Sequence, residues 1–257
     1  MELNKIIQGD CLEVMKQMPD KSIDITVTSP PYDNLRDYHG YSFDFEGIVR
    51  ELFRVTKDGG VVVWVVGDAT INGSETGTSF KQALYFKEIG FNLHDTMIYK
   101  KENPMPLNAN RYENAFEYMF VFSIGKPKSV NLKKEKSKLA GITNHGTFYK
   151  KDGTLTKKFG SGKFVKEEKV ISNIWEYPVG HNTDGTGHPA TFPIKLAQDH
   201  ILSWSNEGDL VLDPMCGSGT TCKMAKHLKR NFIGIEISEK YCKIAEARIK
   251  ALPDKLF

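Results

Sequence analysis

Along the chain, short apolar runs alternate with stretches whose apolar residues recur every three or four positions. NKIIQGD reads as a strand ending at Gly9-Asp10, CLEVMKQM as a short helix and SIDITVTS as the next strand. Phe45, Ile48, Val49, Leu52 and Phe53 share one helical face, and Asp58-Gly59-Gly60 predicts its stop. GVVVWVVG is almost continuously apolar, which predicts a central strand covered on both faces. A helix near 79–89 follows, then strands near 93–99 and 116–123. After residue 193 the alternation resumes with a helix near 194–204, a strand in DLVLDP, a strand in NFIGIEI and a closing helix near 239–250. Strand–helix alternation of this kind predicts an α/β fold with a mixed, mostly parallel sheet.

The pattern breaks between about 125 and 190, where Lys, Gly, Thr and Ser dominate and only strand fragments near 171–175 are suggested. The chain therefore divides into 1–124, an insert at 125–190 and 191–257, the outer two being halves of one domain. With 257 residues, 40% of them apolar, a sizeable core can form. Net charge is only +3, but the stretch 126–169 holds thirteen lysines, no arginine and four acids, which points to a polyanionic partner. No apolar run reaches membrane-spanning length and no signal pattern opens the chain. The four cysteines show no metal-binding spacing, so no metal is expected and they read as reduced thiols in a cytoplasmic protein.

Two segments carry candidate chemistry. In DPMCGSGTT, Gly217 and Gly219 lie between a strand and a helix, where backbone can approach a ligand and helix N–H groups are free. The loop lacks the lysine of an ATP phosphate loop and the full dinucleotide glycine pattern. Glu236 ends the next strand 19 residues after Gly217, a spacing suited to a carboxylate on ribose hydroxyls, and so to an adenosine-type cofactor. The second segment, IDITVTSPPY, runs a strand into two prolines, which end sheet pairing, and places Tyr32 beside them.

TSPPY and DPMCGSGTT together resemble the amino-methyltransferases of DNA, which use S-adenosylmethionine. The catalytic motif precedes the cofactor loop by about 180 residues, an order similar to the circularly permuted β group, with a target-recognition region between the two. The resemblance implies a Rossmann-like methyltransferase acting on double-stranded DNA, as monomer or homodimer, with a cognate restriction endonuclease as an optional partner. It makes Ser29, Pro30, Pro31 and Tyr32 catalytic. It assigns Asp10 to the cofactor's adenine amino group and Asp213 to the methionine ammonium, with Pro214, Gly217, Gly219, Thr220, Glu236 and Phe192 around them. Arg36, Lys101 and Arg111 are candidate DNA contacts, Asp68 a candidate for the base pocket or a structural cap, and Asn144, His145, Asn173 and Asn182 candidate base readers.

Serine as the first letter of the catalytic motif favours, as a family tendency, the 4-amino group of cytosine over the 6-amino group of adenine. Carbon-5 chemistry would need a cysteine beside the base, and none stands near Tyr32. Methylation of RNA or of a protein glutamine, and a non-catalytic DNA-binding module, stay open as weaker alternatives.

Overall fold

The computed structural model describes residues 2–31, 43–104, 110–179 and 193–252. In chain order, β1 (Lys5–Gln8), α1 (Cys11–Lys16) and β2 (Ile23–Thr28) come first. Next are α2 (Phe45–Val55), β3 (Thr56–Val66), the short pair β4 (Thr70–Ile71) and β5 (Ser74–Glu75), and α3 (Thr78–Ile89). β6 (Asn92–Lys101) and β7 (Phe116–Ser123) lead to β8 (Lys134–Lys136), β9 (Thr147–Tyr149), β10 (Leu155–Lys157) and β11 (Glu168–Val170). The chain closes with β12 (Ile174–Tyr177), α4 (Ile194–Trp204), β13 (Leu210–Asp213), α5 (Thr220–His227), β14 (Asn231–Glu236) and α6 (Glu239–Lys250).

Two compact units result: Met1–Asn131 with Asn173–Phe257, and Leu132–Ser172. In the first, eight strands form one sheet in the order β1-β14-β13-β2-β3-β7-β6-β12, and only β7 runs antiparallel to its neighbours. β12 belongs to this sheet as a parallel edge strand on β6, with Trp175 and Tyr177 buried. On one face Val62, Trp64, Phe122, Leu212 and Ile233 pack with α1, α2 and α3. The alternate residues Ile25, Val27, Val61, Val63 and Val211 are equally buried, and α4, α5 and α6 pack in sequence on the other face. Strand side chains alternate between faces, so a strand buried on both must be apolar throughout. GVVVWVVG meets that demand as part of β3.

One boundary differs from the sequence expectation. Helix α2 ends at Val55, before the glycines, where the Thr56 hydroxyl donates to the Leu52 carbonyl at 2.6 Å. Asp58-Gly59-Gly60 instead forms an irregularity inside β3, whose pairing with β2 jumps from Ile23–Thr56 to Ile25–Val61. Gly59 has φ +78°, and a Cβ on Gly60 would lie 2.7 Å from the Thr56 methyl. Glycine is needed there for a strand bulge rather than a helix stop.

The second unit is a nested antiparallel ribbon. β8 pairs with β11, Thr143 bridges Phe164, and β9 pairs with β10 through Thr147–Lys157, Phe148–Thr156 and Tyr149–Leu155. The turn is closed by Lys150 N–H to the Thr154 carbonyl at 2.8 Å, and Gly153 takes φ +81°.

Candidate active site

The parallel strands β1, β14, β13, β2 and β3 point the same way, so their carboxyl ends share one edge of the sheet. Ligand crevices of open α/β sheets form at that edge. Here it carries Asp10 just beyond β1, Glu236 at the end of β14, Asp213 at the end of β13 and Thr28 at the end of β2. Ser29, Pro30 and Pro31 continue directly from Thr28; Pro30 is buried and Ser29 and Pro31 are half-buried. Prolines cannot donate to a ladder, so pairing ends where this segment begins. Tyr32, Arg36 and Phe192 lie outside the described residues.

Thr28 joins the two candidate segments. Its hydroxyl donates to Asp213 Oδ1 at 2.8 Å, in the interior. The same oxygen accepts Met215 N–H at 3.2 Å, and hydrogen bonding from Thr28, Thr221 and the Met215 N–H pulls the carboxyl's pKa down. Burial outweighs these donors and lifts Asp213 from an ordinary 3.8 to about 6, with the Glu236 charge adding to the rise.

Glu236 holds the glycine loop. Its Oε2 accepts Gly217 N–H at 2.9 Å and its Oε1 accepts Ser238 N–H at 2.8 Å. Burial raises its pKa while these backbone donors pull it down. Each carboxylate oxygen keeps a further lone pair for a ligand hydroxyl. Gly217 and Gly219 both take positive φ, +51° and +78°. A Cβ on Gly219 would sit 2.7 Å from the Ala245 methyl. Gly219 is thus glycine for packing against α6 as well as for its backbone angle. Thr220, the first residue of α5, and Pro214 are buried. Asp10 caps α1, its Oδ1 accepting Leu12 N–H at 2.9 Å and Glu13 N–H at 3.2 Å.

One residue of the loop's support was missed by sequence reasoning. Arg248, in the last turn of α6, donates through Nη1 to the Ser218 carbonyl, to Ser218 Oγ at 2.8 Å and to Thr220 Oγ1 at 3.4 Å. Nothing in the local sequence marks it, because a basic residue in a last helical turn is common for reasons of helix dipole alone. Since arginine only donates, both hydroxyls must accept from it.

The donor set fits an adenosine-type cofactor carrying an amine. Three carboxylates stand at three strand ends, and ionised carboxylates accept hydrogen bonds only. They suit hydroxyls and an ammonium and would repel phosphate. Burial pushes Cys11 up to about 12 and Cys242 up to about 11, and the Cys216 thiol, hydrogen-bonded to Cys222, is also raised.

Other candidates have defined partners. Lys101 pairs with Glu117 at 3.0 Å, both side chains only 18% exposed. Arg111 lies 3.7 Å from Glu75 and donates to the Gly73 carbonyl. Asp68 accepts from Ser79 N–H at 2.8 Å and from the Ser79 hydroxyl, and so anchors the start of α3. Asn144 accepts Gly146 N–H at 2.9 Å as a turn former, and Asn173 donates to the Thr96 carbonyl at 3.0 Å. His145 is exposed; Asn182 lies outside the described residues.

Known proteins resemble the chain in sequence and in fold. A family model described as DNA methylase, of the N6/N4 class, matches residues 23–247. The orphan methyltransferase M.BamHII of Bacillus amyloliquefaciens is 57% identical over 239 residues, covering 90% of each chain. Among solved structures, PvuII DNA methyltransferase (cytosine-N4-specific) superposes with a TM-score of 0.70 at 21% identity, over 98% of this chain and 87% of that one. A complex of M1.HpyAVI with SAM gives 0.62 at 25% identity, over 95% and 98%.

Proposed function

Because the chain belongs to the N6/N4 DNA methylase family, whose model spans residues 23–247, we propose that it transfers a methyl group from S-adenosylmethionine to the 4-amino group of a cytosine turned out of duplex DNA. The observation that carries this reading is the junction at the sheet edge. Ser29-Pro30-Pro31 leaves β2 at Thr28, and Thr28 is bonded to Asp213 at the head of the glycine loop at 2.8 Å. Target and cofactor segments are thereby bonded to each other in the interior, beside the pairing of β2 with β13 and the bond from the Thr221 hydroxyl to the Val27 carbonyl.

An exocyclic amino group inside a duplex is out of reach, so the base must leave the stack, at a cost of a few kcal/mol. Tyr32 offers a ring on which the freed base stacks, returning roughly 1–3 kcal/mol. The Pro30 carbonyl and Ser29 Oγ accept the two amino hydrogens. These acceptors draw electron density to the nitrogen and aim its lone pair. When bound, the cofactor's sulfonium supplies the methyl group. Asp213 would hold its ammonium, Glu236 its ribose hydroxyls and Asp10 its adenine amino group, with Pro214 and Thr220 beside the glycine loop and Phe192 a further candidate contact. Rate then derives from positioning and electrostatics, and the spare proton leaves to water.

The lysine-rich insert holds the duplex in the permuted order of the β group. M1.HpyAVI is solved in complex with SAM, which supports the cofactor. M.BamHII is an orphan methyltransferase, which supports an enzyme that works without a cognate endonuclease. The test is transfer of labelled methyl to unmethylated duplex DNA by the wild type and by Tyr32→Ala. Turnover is expected to fall at least about tenfold in the variant, in line with the stacking energy, while cofactor affinity is kept. Equal loss of both would remove the ring from base stacking.

A further inference from the structure

The unit Leu132–Ser172 ends in a two-stranded tip, β9–β10, whose character differs from its base. At the base, charges cancel across the strands: Lys134 lies 3.5 Å from Glu168 and Lys169 2.9 Å from Glu135. At the tip, Lys150, Lys151, Lys157 and Lys158 face one acid, Asp152. That acid is spent inside the turn, accepting Thr154 N–H at 2.9 Å and the Thr154 hydroxyl at 2.6 Å. Among the described residues none of the four tip lysines enters an ion pair.

Apolar groups are exposed at the same place. Paired residues share a face, so Thr147, Tyr149, Leu155 and Lys157 form one face of the ribbon and Phe148 and Thr156 the other. Tyr149 is 74% exposed, Leu155 59% and Phe148 46%. An isolated hairpin is marginal in water, and open apolar faces on both sides add no stability to it.

We propose that the β9–β10 tip enters the major groove of the target duplex. Its Thr147–Tyr149–Leu155–Lys157 face reads base edges, and Lys150, Lys151 and Lys158 hold phosphates. Two strands lie about 4.8 Å apart, and a groove about 12 Å wide admits such a ribbon. Threonine and tyrosine hydroxyls and the Lys157 ammonium suit base-edge donors and acceptors, and Leu155 suits a thymine methyl. Charge decides between occupants: a second copy would bring the same unpaired lysines and be repelled, whereas phosphates attract them. The tip therefore supplies base-reading groups to an insert without arginine or glutamine. The inference rests on the reading of the chain as an enzyme of duplex DNA.

The test uses the full-length protein and a pool of duplexes of randomised sequence. Salt-dependent binding is measured, and retained duplexes are sequenced, for wild type, Lys150→Ala/Lys151→Ala and Tyr149→Ala/Leu155→Ala. Binding of labelled S-adenosylmethionine checks that each variant folds. The lysine pair is expected to flatten the slope of log affinity against log salt by about one to two, with sequence preference kept. The Tyr149/Leu155 pair is expected to lower preference at one or more base positions by about tenfold, with the slope kept. Unchanged slope and preference in folded variants would overturn the proposal. So would a change in self-association without a change in DNA affinity, which would assign the tip to a second copy. Lysine-dependent binding by a wild type that methylates no DNA would support the tip and overturn the catalytic reading instead.

Discussion

Asp213 is buried to 2% exposure, yet it anchors both Thr28 and the start of the glycine loop. Its carboxyl is raised from 3.8 to about 6, chiefly by burial. The folded state therefore binds this proton more tightly than the unfolded chain. Stability from this group is full below about pH 4 and is lost as pH rises through about 6, by at most about 3 kcal/mol. Urea unfolding from pH 4 to 7 should show that decline in the wild type relative to Asp213→Asn, which cannot titrate. Parallel curves would mean that Asp213 titrates normally. On the proposed reading, a cofactor ammonium prefers the ionised carboxylate, so cofactor affinity rises over the same interval. Ser29-Pro30-Pro31, Gly217, Gly219 and Glu236 were legible in sequence because their chemistry is local. The role of Asp10 as cap of α1 and the turn-forming role of Asn144 needed coordinates, because a side-chain oxygen's partner is not encoded by its residue type.

The glycine loop is held at the level of elements. Strand β14 supplies Glu236 to Gly217 N–H, and α6 supplies Ala245 beneath Gly219 and Arg248 to Ser218 and Thr220. Hydrogen bonds from a charged donor contribute about 1.5–3 kcal/mol each. Arg248→Ala should raise the cofactor dissociation constant about tenfold with little change in KM for DNA, and Arg248→Lys should restore only part of it, since lysine lacks the planar fork. A fall in melting temperature with cofactor affinity unchanged would reduce Arg248 to a helix anchor. Element types were well marked by periodicity: the strand at Phe116–Ser123 and the helices at Ile194–Trp204 and Glu239–Lys250 lie where the pattern places them. The glycines in β3 misled because Asp-Gly-Gly suits a helix stop and a bulge equally well. The sheet membership of β12 was hidden because four residues carry too little periodicity.

Across the whole molecule, sequence shows which elements exist but not which are neighbours. The order β1-β14-β13-β2 brings residues some 200 positions apart onto one edge. Only that order makes Thr28 and Asp213 contacts, 185 residues apart in the chain. Among the described residues no helix is long and apolar enough to cross a membrane. The base that the enzyme modifies is the central claim, and nucleoside analysis tests it most directly. The purified protein is incubated with unmethylated bacterial DNA and labelled S-adenosylmethionine, and the digest is resolved by mass spectrometry. Label in N4-methylcytosine is the predicted result. Label in N6-methyladenine would contradict the cytosine assignment drawn from Ser29 while leaving the fold, the cofactor and the loop geometry in place.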